Sequence, residues 1–347
     1  VIVNVIGIES SCDDTAIAVV NNNRKILANI VLSQHAEHLP YNGVVPEIAA
    51  RSHLKNLKYA MEEALNQAQV NLTAIDIVAA ASGPGLIGGV IVGSVFGHAV
   101  ASTLNKTFFA INHLEGHILA VRLSNNNISF PYLLLLISGG HCQFIAVFDV
   151  GKYKILGQTI DDAVGEAFDK TARLLNLKYP GGPEIEKLAI KGNPHKYSLP
   201  LSMITKAGCN LSFSGLKTAV KQLIFSIDSL SEQVIYDICA SFQYTVVQIL
   251  KHRSINAIKL FESCCNSNSK INKKKYFVIS GGVAANQYLR QEIFDLASAY
   301  GYYGVAPPSN LCTDNGAMIA WAGIERFHSN LLNSDFIPRA KWCVEHL

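Results

Sequence analysis

Ile2 to Ile8 is a β-branched run that breaks at Glu9-Ser10-Ser11-Cys12-Asp13-Asp14 and resumes over Thr15 to Val20. An apolar run interrupted by a short polar cluster predicts two strands joined by a polar hairpin tip. Asn21-Asn22-Asn23 then turns the chain into a third strand, Ile26 to Val31. The pattern returns in mid-chain, where Tyr132 to Ile137 is apolar, Ser138-Gly139-Gly140-His141 is the turn, Phe144 to Phe148 resumes and a third strand follows at Ile155. One fixed offset lays Lys25-Ile26-Leu27 on Lys154-Ile155-Leu156 and the first tip on Ser138-Gly139-Gly140 without a gap, which predicts an internal duplication. Long helical patterns follow both copies, Pro46 to Ala68 and Asp161 to Leu175. The expected fold is α/β, with two related lobes around a central cleft. They span residues 1–127 and 128–347, with Asn125-Asn126-Asn127 at the junction and the C-terminal segment able to pack back on the first lobe.

From Ile77 to Leu104 no side chain is charged, a stretch long enough to cross a bilayer. Ser82-Gly83-Pro84-Gly85 interrupts it, so it reads as strand, tight turn and buried helix, with no membrane partner. A late glycine turn follows the same logic: Tyr276 to Ile279 is a short strand, Ser280-Gly281-Gly282 the turn, and Ala284 to Ala299 a helix. Neither a P-loop nor a dinucleotide-binding glycine pattern occurs. Any phosphates must therefore sit on hairpin tips. Paired hairpins and an adenosine turn make the arrangement of actin, hexokinase and Hsp70-like ATPases, the ASKHA fold, by fold-level analogy.

Of 347 residues, 49% are hydrophobic and 16% charged, which excludes a disordered chain. A net charge of +3 excludes gripping nucleic acid by charge alone, so any such role needs a local patch or a partner. Eight cysteines without C-x-x-C spacing, behind an N-terminus without a basic and apolar leader, predict a reducing, cytoplasmic setting. Asn266 to Lys275 reads as a solvated loop with a basic end.

His113-Leu114-Glu115-Gly116-His117 places two imidazoles four apart, on one face of a helix. They suit a divalent metal or, equally simply, a buried hydrogen-bonded pair. Glu115 cannot share their face, so a zinc protease would lack its base. Asp314, in Cys312-Thr313-Asp314-Asn315-Gly316, is the candidate third ligand or else the cap of the apolar helix Ala317 to Ile324, and Cys312 is a soft ligand or a packed thiol. Asp162, Glu166 and Asp169 stack on one helical face and call for a compensating cation or ligand, with Lys170 and Arg173 as the alternative. The Tyr179-Pro180-Gly181-Gly182-Pro183 loop lets backbone approach a ligand or merely turns. Ser212 to Thr218 offers hydroxyls, a lysine and a helix start. Arg51, Lys55 and Lys58 form a basic stripe, solvated or phosphate-facing.

These segments resemble the universal tRNA threonylcarbamoyladenosine transferase family of the bacterial TsaD type, once described as a sialoglycoprotein endopeptidase. The resemblance rests on Gly7 to Thr15, Gly43 to Glu47, Gly83 to Leu86, His113 to His117, Ser138 to His141, Gly165 to Lys170, Tyr179 to Pro183, Ser214 to Lys217, Gly281 to Asn286 and Cys312 to Asn315. It implies one divalent metal on His113, His117 and Asp314, of iron type, with zinc or magnesium as alternatives. It also implies that Leu136, Ile137, Ser138, Gly139, Gly140, Asp169, Gly182, Glu186 and Asn286 contact the nucleotide-bearing substrate. The implied reaction moves threonylcarbamoyl from threonylcarbamoyl-AMP to N6 of the tRNA adenosine beside the anticodon, with Glu9 and Asp13 as candidate bases. The implied partners are a paralogous ASKHA subunit of the TsaB type, a small P-loop ATPase of the TsaE type, and a separate enzyme that makes the anhydride. Asn42 stands where the family usually has glycine, Gly316 where alanine is common, and Cys142 where threonine is usual. The rival readings are a metalloendopeptidase acting on glycoproteins and an ATP-binding, sugar-kinase-like protein.

Overall fold

The computed structural model describes residues 1–41, 43–266, 274–331 and 336–347, so Asn42 and most of the expected loop up to Lys275 lie outside the described residues. The strands are β1 (Asn4–Glu9), β2 (Asp14–Asn21), β3 (Ile26–Ser33), β4 (Ile77–Ala81), β5 (Thr107–Ile111), β6 (Tyr132–Ile137), β7 (Cys142–Asp149), β8 (Lys152–Gln158), β9 (Tyr276–Ser280) and β10 (Tyr303–Val305). The longer helices are α1 (Pro46–Ala68), α2 (Ile87–Leu104), α3 (His113–Ser124), α4 (Val164–Leu174), α5 (Gly181–Ala189), α6 (Ser214–Phe225), α7 (Glu232–Asn266), α8 (Gln287–Ala299) and α9 (Gly316–His328).

The chain divides into two compact units. The first comprises Val1–Ile128, Asp149–Tyr153 and Thr313–Leu347, and the second Ser129–Phe148 and Lys154–Cys312. The five-stranded sheets run β3-β2-β1-β4-β5 and β10-β9-β6-β7-β8, the same order read from opposite ends. In each, an antiparallel hairpin continues into parallel strands, β1 beside β4 and β6 beside β9. The expected duplication is therefore present as topology. Its gapless offset is not: Glu9 closes the first hairpin on Ala16, whereas Ile137 closes the second on Cys142, a tighter tip.

In the first unit β4 is buried throughout, as a parallel strand covered on both faces must be. Leu57, Ala60 and Ala64 of α1 and Ala101 of α2 pack with Ile6, Ile8, Ile17 and Val78. α9 lies so close to β1 and β2 that a Cβ on Gly7 would fall 2.1 Å from the Gly316 carbonyl oxygen, and one on Gly316 would fall 2.4 Å from the Ala18 nitrogen. Position 316 thus excludes the alanine that the family pattern suggests, and the backbone contact fixes where Asp314 enters. α2 is the one helix among the described residues long and apolar enough to cross a membrane, yet it joins this core through Val90 and Ala101 and covers Ser10 with Gly93.

In the second unit α7 runs for 35 residues, and Phe168, Phe242 and Phe277 anchor the core. Two expected boundaries move for capping reasons. Asn286 caps α8 by accepting from the Leu289 N–H at 2.9 Å, so that helix starts at Gln287 instead of Ala284. Asp161 belongs to no helix, because its carboxylate accepts from the Phe213 N–H at 2.8 Å and from the Ser214 hydroxyl at 2.9 Å at the start of α6. The glycine loop after Tyr179 is itself a helix start, Gly181 opening α5.

Candidate functional site

Two asparagine caps set the first cluster. Asn112 accepts from the Leu114 N–H at 2.9 Å, which places His113 at the first position of α3 and His117 one turn on, on the same face. Asn315 accepts from the Met318 N–H at 2.9 Å and caps α9, so Asp314 has no capping duty. The Asp314 carboxylate instead lies 3.0 Å from His117 Nε2 and 3.6 Å from His113 Nε2. The imidazole rings meet edge-on, their centroids 4.8 Å apart.

One ligand atom from each of these residues lies within 4.8 Å of the others, and among the described residues no second group of this kind occurs. Two donors each about 2.1 Å from one ion sit roughly 3.0–3.4 Å apart, so the N,N,O chemistry and the 3.0 Å His117–Asp314 distance suit a divalent metal, which would draw the wider-spaced donors together. Both histidines are buried, while Asp314 keeps 27% of its side chain exposed, so solvent reaches the cluster from its side. Burial lowers the His113 pKa, but Glu9 and Asp314 offset this and push it up to about 9. A proton and a metal ion therefore compete for His113.

Glu9, at the end of β1, is fully buried. Its carboxylate lies 2.9 Å from His113 Nδ1 and accepts from the Ser11 N–H at 2.6 Å. The Ser11 hydroxyl is a further neighbour, 3.1 Å from the same nitrogen. Asp13 is partly exposed at the hairpin tip and hydrogen-bonds the Cys12 thiol, whose pKa burial pushes up. Glu115 points away from the histidines: its carboxylate takes the Arg326 Nε–H at 2.6 Å and the Tyr153 hydroxyl at 2.8 Å, so it cannot serve as a protease base. Neither Arg326 nor Tyr153 carries a motif, whereas both capping asparagines stand where a helix-start rule would look.

In the second unit the residues assigned to nucleotide contact lie on one closed circuit. Ser138 closes the tip on His141, its N–H donating to that carbonyl at 2.7 Å and its hydroxyl accepting back at 3.0 Å, and Gly139 and Gly140 are left exposed. The Ser138 carbonyl accepts from the Gly165 N–H at 3.2 Å, at the start of α4. Further along α4, Asp169 accepts from the Gly181 N–H at 2.8 Å, next to Gly182. Burial raises its pKa despite that bond. Glu186 on α5 accepts from the Gln287 N–H at 2.7 Å, adjoining Asn286. Gly281, at φ +92°, returns the circuit to β6, because a Cβ there would meet the Ile137 carbonyl oxygen at 2.4 Å; Leu136 is the residue before it.

Other candidates resolve differently. Asp162 precedes α4 and shares no helical face with Glu166 and Asp169; Lys170 bridges Asp162 at 2.9 Å and Glu166 at 2.6 Å, Lys217 lies 3.7 Å from Asp162, and Asp169 meets the Gly181 N–H instead. The Cys312 thiol packs against the Pro307 carbonyl at 3.4 Å in the second unit, outside the His113, His117 and Asp314 group. Cys142 is buried, its pKa pushed up to about 12 by that burial, and the tip's bonds are carried by Ser138 and His141. Arg51 pairs with Glu47 at 2.9 Å and Lys58 approaches Glu62 at 3.9 Å on the exposed face of α1.

A family model described as TsaD, tRNA N6-adenosine threonylcarbamoyltransferase, matches residues 25–321. A protein of that name from Orientia tsutsugamushi (strain Ikeda) is 80% identical over 344 residues, covering 99% of this chain and 100% of its own. One from Rickettsia conorii is 55% identical over 346 residues, covering 99% of each. Among solved structures, HypF from T. kodakarensis aligns with a TM-score of 0.62 at 14% identity, over 96% of this chain and 49% of its own. Full-length HypF in a phosphate- and nucleotide-bound form aligns at 0.55 and 12%, over 96% and 47%. These likenesses establish the fold alone, a mixed α/β architecture of the ASKHA type.

Proposed function

The chain belongs to the tRNA N6-adenosine threonylcarbamoyltransferase family, and on that premise we propose that it transfers threonylcarbamoyl from threonylcarbamoyl-AMP to N6 of the adenosine adjacent to the anticodon in ANN-decoding tRNAs. The N6 nitrogen bonds to the carbamoyl carbon, the bond from that carbon to the phosphate oxygen breaks, AMP leaves and N6 gives up a proton. The observation that carries the reading is the meeting of His113, His117 and Asp314 from two separate segments of the chain.

An exocyclic purine amine is a weak nucleophile, so the carbonyl must be activated and the leaving group held. His113, His117 and Asp314 would hold a divalent ion, whose chemistry when bound is that of a Lewis acid for the carbonyl. Two imidazoles and one carboxylate suit Fe2+, with Zn2+ as an alternative and Mg2+ a poorer match to nitrogen donors. The exposed amides of Gly139 and Gly140, with the Gly182 start of α5, would hold the nucleotide phosphate, since helix starts and glycine turns present unpaired N–H groups. Leu136, Ile137, Asp169, Glu186 and Asn286 set the shape of that circuit, and proximity contributes the remaining rate.

A TsaB-type subunit has an apolar surface to meet in Ile87, Ile91 and Val95, which recur along α2 at 45%, 44% and 48% exposure. Shared tRNA binding fits the charge of +3, and a TsaE-type ATPase completes the set of partners. All eight cysteines are free, as a reducing cytoplasm favours. The test is reconstitution with threonine, bicarbonate, ATP, tRNA and the partner proteins, scored as modified nucleoside. His117→Ala is expected to abolish product, and full retention would overturn the metal assignment.

A further inference from the structure

We propose that Glu9 is a positioning residue, which holds His113 with its proton on Nδ1 so that Nε2 faces Asp314 and the ion. This rests on reading His113, His117 and Asp314 as a metal site. Glu9 is sealed at 0% exposure, and the structure gives its carboxylate two partners, the Ser11 N–H at 2.6 Å and His113 Nδ1 at 2.9 Å. Among the described residues no lysine or arginine pairs with it, so the His113 ring is the one side chain paired with this buried carboxylate. The opposite edge of the ring is the one that counts for a metal: His113 Nε2 points at Asp314 Oδ1, 3.6 Å away. The backbone is fixed too, since the His113 N–H donates to the Gly83 carbonyl at 2.7 Å.

A neutral imidazole has one N–H and one lone pair, and whichever nitrogen keeps the proton leaves the other to ligate. A carboxylate on Nδ1 selects the Nε2 lone pair, locks the ring's rotation and raises its basicity toward a metal. Burial also removes Glu9 from contact with substrate, so its role is exerted through His113 and not as a base.

The probe is Co2+ bound to the full-length protein, with affinity read from its visible absorption in competition with a chelator. Glu9→Ala is expected to weaken Co2+ about 10- to 100-fold. Glu9→Gln, whose amide oxygen can still accept from Nδ1–H but whose NH2 then faces the Ser11 N–H, is expected to recover part of that loss. In wild type, nitrogen-15 spectra of the Zn2+-bound protein should show His113 protonated on Nδ1. If His117→Ala abolishes Co2+ binding while Glu9→Ala leaves it unchanged, the positioning role is overturned and the metal site stands. If wild type and His117→Ala both fail to bind Co2+, the metal site itself falls, and this proposal with it. Should Glu9→Ala not fold, the wild-type spectra decide, and a proton on Nε2 would reject the proposal.

Discussion

Replacing Arg326 with methionine tests whether the buried pair between α3 and α9 holds the first unit together. Arg326 is 6% exposed and Glu115 0% exposed, joined at 2.6 Å, with the Tyr153 hydroxyl as the other partner of Glu115. Removing one member of a buried pair costs about 3–5 kcal/mol, because the remaining charge stays desolvated. Glu115 keeps its bond from the Tyr153 hydroxyl, which places the expected loss near the lower end, about 3 kcal/mol. In urea this moves the midpoint down by about 1–2 M. Both tryptophans, Trp321 and Trp342, lie in the first unit, so their fluorescence reports its unfolding separately from the second. The double variant Glu115→Gln, Arg326→Met should recover most of the loss, since it buries no unpaired charge. A single-variant loss under about 1 kcal/mol, or a double variant whose loss equals the sum of the singles, would refute the reasoning.

Three further outcomes rest on other parts of the molecule. Gly7→Ala drives a methyl into the backbone of α9, 2.1 Å from the Gly316 carbonyl oxygen, and should cost about 3 kcal/mol or more while weakening Co2+ binding through displacement of Asp314; wild-type values for both would count against the close approach. Burial first, then the charges of Asp13, Asp314 and Glu9, push the Asp14 pKa from 3.8 to about 6 against the hydrogen bond from Ser33. Because the folded value is the higher one, the associated stability is present below about pH 4 and is lost as pH rises through about 6. Asp14→Asn should therefore gain on wild type between pH 5 and pH 7.5 in tryptophan-monitored urea melts, whereas parallel curves would contradict it. Replacing Arg51, Lys55 and Lys58 with alanine should weaken tRNA binding and flatten its salt dependence, the logarithmic slope falling by about one for each phosphate the stripe neutralises, and an unchanged slope would assign the stripe to solvent.

Local pattern carried much of this protein. The apolar runs of β1, β2 and β6, the polar tips between them and the span of α1 follow from periods and turn residues that neighbours in the chain decide, and the histidine pair follows from helical spacing. Pattern does not report what a side chain meets across the fold. Asp314 could have capped α9 until the structure gave that role to Asn315, and Glu115 became a structural anion only through Arg326 and Tyr153, far away in sequence. Glu9 stands beside the tip as a candidate base until the packing of β1 against the start of α3 brings His113 onto it. The offset between the two hairpins likewise failed where a tip shortened, because strand pairing tolerates a change in loop length that an alignment by spacing cannot see. Short-range order is written in neighbouring residues, but the partner of a buried charge is selected by the cost of leaving it unpaired, and that cost exists only once the chain has closed around it.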